Sequence, residues 1–185
     1  MIDTELQKLK YPIGAFVPPS SISTEDINEW INVLETFPEK LSNLVKDFSE
    51  ATLQTCYRPN GWTVKQVIHH LADSHHNSYT RFKWALTEDK PIIKAYDEVR
   101  WAELFDSKTA PIQLSLVHLK AIHAKLVYLL KGLTEDELNR SFIHPETKKE
   151  ISLKLNIATY AWHSNHHYAH IEQALKKVIN SEKND

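Results

Sequence analysis

Glycine is scarce in this 185-residue chain, which holds only Gly14, Gly61 and Gly132. So few leave no room for a phosphate-cradling loop, and neither GxGxxG nor a Walker pattern occurs. The same scarcity argues against a turn-rich all-β fold. Cysteine is scarcer still. Cys56 stands alone, which excludes an intramolecular disulfide, a CxxC motif and a zinc ribbon; a buried structural thiol is expected there rather than a reactive one. Apolar runs reach only a few residues, so no membrane span is expected. The opening MIDTELQKLKYPIG lacks the apolar core of a secretory signal, and a cytoplasmic location is the expectation. Neither sign of charge dominates: 22 basic and 24 acidic residues leave a net charge of -2. With no basic stripe or arginine-rich arm, nucleic acid is disfavoured as a partner.

What the chain does have is helical rhythm. After an irregular arm over residues 1–20, rich in proline (Pro12, Pro18, Pro19), apolar residues from Ile27 to Phe48 recur at three- and four-residue steps. Thr24 stands where an N-cap belongs, with Glu25 and Asp26 in the first turn. Pro38 falls inside this stretch and predicts a kink or two abutting helices. Thr63-Val64-Lys65-Gln66 reads as a capping box after the turn-prone Arg58-Pro59-Asn60-Gly61, opening a helix to about Leu86. Residues 88–111 carry prolines at both ends and a weak helical patch near Glu98 to Leu104, and predict a long crossing connection. A third long helix follows from Ile112. Thr134-Glu135-Asp136-Glu137 resembles another capping box, and Ser141 to Ile151 suggests a small hairpin. The last helix runs from about Ser152 to Val178, before a tail at 180–185 expected to fray. One all-α domain over 1–185 is expected: a four-helix bundle with a long crossover and a hairpin before the last helix.

Histidine carries the functional signal. The segment AWHSNHHYAH puts His163 and His167 one helical turn apart, where two imidazoles can converge on one metal ion. At about 100° per residue, with His163 at 0°, His167 falls near 40° and His170 near -20°. On the same wheel Ala174 falls near 20°, Tyr160 near 60° and Ile171 near 80°, so these histidines share the core-facing stripe. His166, at about -60°, sits at its margin. Pairs at this spacing also arise by chance, so a third nitrogen from elsewhere decides the matter. His70 lies beside the stripe of Val67 and Leu71, whereas His69 points about 100° away. Asp73, one turn on, could accept the other ring N–H of His70 or simply be solvated. His75 and His76 are read as surface residues or as partners behind the ligands. His123 faces the core of the third helix and either packs or donates to a bound ligand.

The missing motifs narrow the chemistry. No HExxH occurs, so there is no built-in glutamate base, and no paired Glu-x-x-His marks a di-iron bundle. Three neutral imidazoles would leave a divalent ion its full charge and an open position, able to activate water or a thiolate. Arg58, Trp62, Asp97, Trp101 and His144 are candidates to line the mouth, with Asp73, Arg58 and His144 as catalytic candidates.

The motifs YPIG at 11–14, CYRPNGWTVKQVIHHLADSHHNSYTRFK at 56–83, AYDEVRW at 95–101 and AWHSNHHYAH at 161–170 together resemble the YfiT branch of the DinB-like superfamily. The resemblance extends from Tyr11 to about Ile171. It implies a four-helix bundle, a cytoplasmic homodimer and a metal-dependent hydrolase acting on a small-molecule substrate. Its histidine pattern transfers onto His70, His163 and His167 as ligands of one divalent ion, usually zinc; His170 is left behind the ligands. Other DinB-like proteins are S-transferases or isomerases that use low-molecular-weight thiols such as bacillithiol, which makes thiol transfer the alternative activity. A structural metal in a non-catalytic helical protein is the reading outside enzymes.

Overall fold

The computed structural model describes residues 3–182. The arm expected to be irregular opens with a helix, α1 (Asp3–Lys10), before the prolines take over. The first long helix, α2 (Thr24–Val45), is capped by Ser23 rather than Thr24: the Ser23 hydroxyl accepts from the Asp26 N–H, and the Asp26 carboxylate accepts from Ser23 N–H at 2.8 Å. Pro38 lies inside α2, which continues through it as one element. The short α3 (Glu50–Leu53) leads to α4 (Val64–Thr87), where the Thr63–Gln66 capping box forms as expected. Cys56, expected to be buried, is exposed, because it lies in the connection between these two helices and pairs only its backbone with Thr63.

The crossing over residues 88–111 contains α5 (Glu98–Ala102) and α6 (Phe105–Thr109) and delivers the chain to α7 (Ile112–Lys131). It is tied down along α4. Gln66, having capped α4 with its oxygen, donates its amide N–H to the Ala102 carbonyl at 2.8 Å. His69 reaches the Ala110 carbonyl and the Ser115 hydroxyl at 3.2 and 2.7 Å. Then come α8 (Glu135–Leu138), with its Thr134 capping box, and the antiparallel pair β1 (Ser141–Ile143) and β2 (Glu150–Ser152). The crossing also bonds to this hairpin, since Ile93 N–H donates to the Ile143 carbonyl and Ile143 N–H to that of Pro91. The closing helix α9 (Leu153–Glu182) is longer than expected, and residues 183–185 of the expected frayed tail lie outside the described residues.

Four long helices thus make the body of the molecule, an all-α bundle with one long crossover. Their contacts close a ring, α2 to α7 to α4 to α9 and back to α2, which sets α2 and α4 on a diagonal. The core divides in two. One cluster holds Ile31, Leu34, Phe82, Leu126, Phe142, Leu153 and Ile157; the other holds Phe37, Leu41, Val67, Leu71, Leu119, Ile171 and Ala174. Along each long helix one cluster's residues come before the other's, and histidines occupy the interval on three of the four. His75 fills it on α4, with His70 just ahead of it beside Leu71, His123 fills it on α7, and His163, His166, His167 and His170 fill it on α9. A polar layer crosses the bundle between two apolar halves.

Candidate metal centre

Helical periodicity of about 3.6 residues stacks the α9 histidines along one face, and that face meets α4 where His70 projects. Nε2 of His70 and Nε2 of His163 are 3.2 Å apart. One nitrogen each from His70, His163 and His167 lies within 4.8 Å of the other two, the sole such His/Cys/Asp/Glu group among the described residues. Two nitrogens held at about 2.05 Å on one tetrahedral ion sit roughly 3.3 Å apart, so the His70–His163 pair already has the spacing of a shared cation. The donor set therefore fits a divalent ion.

Electrostatics agree. Burial pushes His70 down to about 4, with repulsion from His166 adding to it. Burial first, then the neighbouring rings, hold His163 and His167 well below the usual 6.5. His163 keeps some surface toward the adjoining cavity, yet protein surrounds it closely enough for the same effect. All three rings are neutral at pH 7 and have a lone pair to offer.

The site opens on a cavity of about 340 Å³, a size suited to a small molecule. Trp62, Ser74, Arg81, Tyr160, Trp162 and His166 line it beside the three histidines, and the crossing contributes Tyr96 and Glu98. Arg81 bears the cavity's one guanidinium; its Nε has no hydrogen-bond acceptor, and Nη1 reaches only the Tyr160 hydroxyl at 3.5 Å. No carboxylate pairs with it among the described residues. Tyr96, pushed well above its ordinary range by burial, packs on Trp101 with ring centroids 4.8 Å apart.

Of the mouth residues expected from sequence, Trp62 lines the cavity and packs against the His70 ring at 4.8 Å. The others do not line it. Arg58 donates to the Pro59 and Asn60 carbonyls of its own turn and lies over the Tyr57 ring, so its charge is used locally. Asp97 caps α5 through the Arg100 N–H, and Trp101 stands behind Tyr96. His144 belongs to the hairpin turn, with a buried Nδ1 that finds no partner. Asp73 takes no hydrogen bond from His70. Burial, helped by Asp106, raises it to about 6.

Behind the three histidines stand other imidazoles. His75, expected at the surface or behind the ligands, is 0% exposed; its Nε2 lies 3.2 Å from Nδ1 of His163 and its Nδ1 lies 2.9 Å from Nε2 of His123. His170 sets Nδ1 3.3 Å from Nδ1 of His167. His76, by contrast, is exposed and pairs with His118 at 3.0 Å. Arg81, Ser74, Tyr96, Glu98 and Trp162 escaped the sequence reading, since nothing in their local pattern separates a cavity wall from an ordinary helix face.

The model of the DinB superfamily matches residues 33–171, and the chain belongs to that family. Within it, YfiT of Bacillus subtilis is 49% identical over 170 residues, covering 92% of this chain and 96% of that protein. A Bacillus cereus protein is 47% identical over 173 residues, covering 94% and 99%. Both carry the provisional name of metal-dependent hydrolase. The solved structure of YfiT, described as a probable metal-dependent hydrolase with an unusual four-helix bundle topology, superposes with a TM-score of 0.90 at 48% identity over 92% of this chain and 98% of that one. The mycothiol-dependent maleylpyruvate isomerase shares the fold alone, with a TM-score of 0.62 at 14% identity, over 80% of this chain and 62% of that one. No helix among the described residues is long and apolar enough to cross a membrane.

Proposed function

We propose that the protein is a metal-dependent hydrolase of small molecules, holding one Zn²⁺ on His70, His163 and His167. The observation that carries this is the convergence of three neutral imidazole nitrogens on the wall of a small-molecule-sized cavity. A divalent cation there supplies Lewis acidity sufficient to make a nucleophile near neutral pH. The chain's own residues do the rest. Trp62 and Trp162 offer apolar walls, and Arg81 offers N–H donors to an anionic group on the substrate. The resemblance to YfiT supports the hydrolase reading, and a cytoplasmic homodimer belongs to the same proposal, to be tested by cell fractionation and sedimentation equilibrium.

The test is metal analysis of the purified protein beside His70→Ala, His163→Ala and His167→Ala. We expect one zinc per wild-type chain and substoichiometric metal in each variant; three variants that all keep a full equivalent would refute the assignment. Ester and amide hydrolysis should then vanish on chelation and return with Zn²⁺. Arg81→Met should raise KM for anionic substrates at least tenfold over neutral analogues, and an equal effect on both would remove Arg81 from substrate binding.

One feature favours a second activity. Among the described residues no carboxylate is hydrogen-bonded to the three histidines, Asp73 stands apart, and Glu98 lines the cavity without a bond to them, so no general base for water is in place at the ligands. A thiol needs less help, because its ordinary pKa is about 8.5. Low-molecular-weight-thiol S-transfer is therefore the alternative. Metal-loaded protein incubated with bacillithiol and a bimane electrophile separates the two: thiol-dependent turnover without ester or amide cleavage selects transfer.

A further inference from the structure

The hydrogen bonds behind the three histidines have a direction. Nδ1 of His123 lies 2.5 Å from the carbonyl oxygen of Leu34 in α2. A carbonyl only accepts, so this Nδ1 carries the proton, and in a neutral ring Nε2 is then the acceptor. It faces Nδ1 of His75 at 2.9 Å, which must donate. His75 Nε2, left as an acceptor, faces Nδ1 of His163 at 3.2 Å. The chain ends with the proton of His163 on Nδ1 and a lone pair on Nε2, the atom that meets His70.

A shorter chain does the same for the other α9 histidine. Nε2 of His170 lies 3.0 Å from the carbonyl oxygen of Lys10 and must donate to it. Its Nδ1 therefore accepts from Nδ1 of His167 at 3.3 Å, leaving Nε2 of His167 with the lone pair. The opposite tautomer of either ring would turn an N–H toward the cation. No carboxylate is hydrogen-bonded to any of these five rings among the described residues, so a second proton on one of them would be a buried, unpaired charge.

Both chains begin at carbonyls that the backbone leaves free. In α2 the Leu34 carbonyl would ordinarily accept from the N–H of residue 38, but Pro38 has none. Lys10 ends α1, where the last carbonyls lack an intrahelical partner. His123 is 1% exposed and His170 2% exposed, so neither carbonyl's bond is made at an open surface.

We propose that two one-way relays, Leu34–His123–His75 and Lys10–His170, lock His163 and His167 in the tautomer that presents Nε2 to a divalent cation. His75, His123 and His170 are then positioning residues. This rests on reading the three histidines as a metal site, and the test keeps the two claims apart. Long-range ¹H–¹⁵N spectra of metal-free wild-type protein should show His163, His167, His75 and His123 protonated on Nδ1 and His170 on Nε2. Zn²⁺ affinity, measured by competition with a chromophoric chelator, should fall 10- to 100-fold in His75→Leu and in His170→Leu. His75→Gln and His170→Gln, which keep a donor at one end and an acceptor at the other, should recover most of that loss. Folded leucine variants with unchanged affinity, or wild-type spectra with the proton of His163 or His167 on Nε2, would overturn the relays. If wild-type protein binds no divalent cation, the metal reading falls, and the tautomer spectrum still decides the relays. Should the leucine variants not fold, the glutamine variants and the wild-type spectrum carry the test.

Discussion

Pro38 is a helix-interior proline whose local cost, about 3 kcal/mol on intrinsic propensity, is offset only in part by the bond it makes available, worth about 1 kcal/mol. Restoring the N–H in Pro38→Ala creates a second donor for the Leu34 carbonyl beside His123. We expect cation affinity to drop several-fold, read by the same chelator competition; equal affinity would mean that this carbonyl serves both donors. Asp73 illustrates a different residue-scale effect. Its folded pKa, raised to about 6 against 3.8, lies above the unfolded value, so its contribution is present at low pH and lost as pH rises through 6. Asp73→Asn should stabilise the protein at pH 8 by about 1 kcal/mol, after discounting for partial solvent screening. Urea unfolding at pH 8 and at pH 4.5 checks this, with a clearly smaller gain expected at the lower pH. His163 and His167 were legible in sequence because one helix sets both on one face. His75 was not. It falls about 140° round α4 from His70, and its other partner comes from α7, which no spacing within α4 reveals.

The helices were legible wherever a capping box opened them. Thr63–Gln66 and Thr134–Glu137 each satisfy two otherwise orphaned donors, and such pairs are local enough to be read from four letters. At α2 two adjacent hydroxyl residues, Ser23 and Thr24, compete for the cap, and Asp26 three residues after Ser23 decides between them. The helix α1 escaped notice because eight residues carry too few turns for periodicity to stand out against the prolines that follow. Gln66 does more than its capping signature shows, because the same amide holds the crossing through the Ala102 carbonyl. Gln66→Ala should cost about 1–2 kcal/mol of unfolding free energy. Hydrogen exchange should also quicken along residues 98–109. A loss of stability without that local quickening would show that the crossing has other anchors.

At the scale of the molecule, the neutral histidines make stability depend on pH. Burial lowers His123, His70, His166 and His170 to about 4 from 6.5 and holds His75, His163 and His167 well below their ordinary value. Below 6.5 the unfolded chain gains protons that the folded chain refuses until about 4. Stability is therefore intact above 6.5 and declines as pH falls through that window, by at most about 1.4 kcal/mol per pH unit for a fully buried ring and by less for the partly screened His166. Urea midpoints of metal-free protein between pH 7.5 and 4.5 should fall steeply, and a flat profile would contradict the burial of these rings. The band of imidazoles between the two apolar clusters has one more effect. Leucine-rich halves alone would tolerate one helix sliding a turn, about 5.4 Å, past its neighbours. Here such a slip would press ring nitrogens against Leu71 or Ile157 and strand them without partners. The side chains of this layer thereby also dictate the alignment at which four helices can meet.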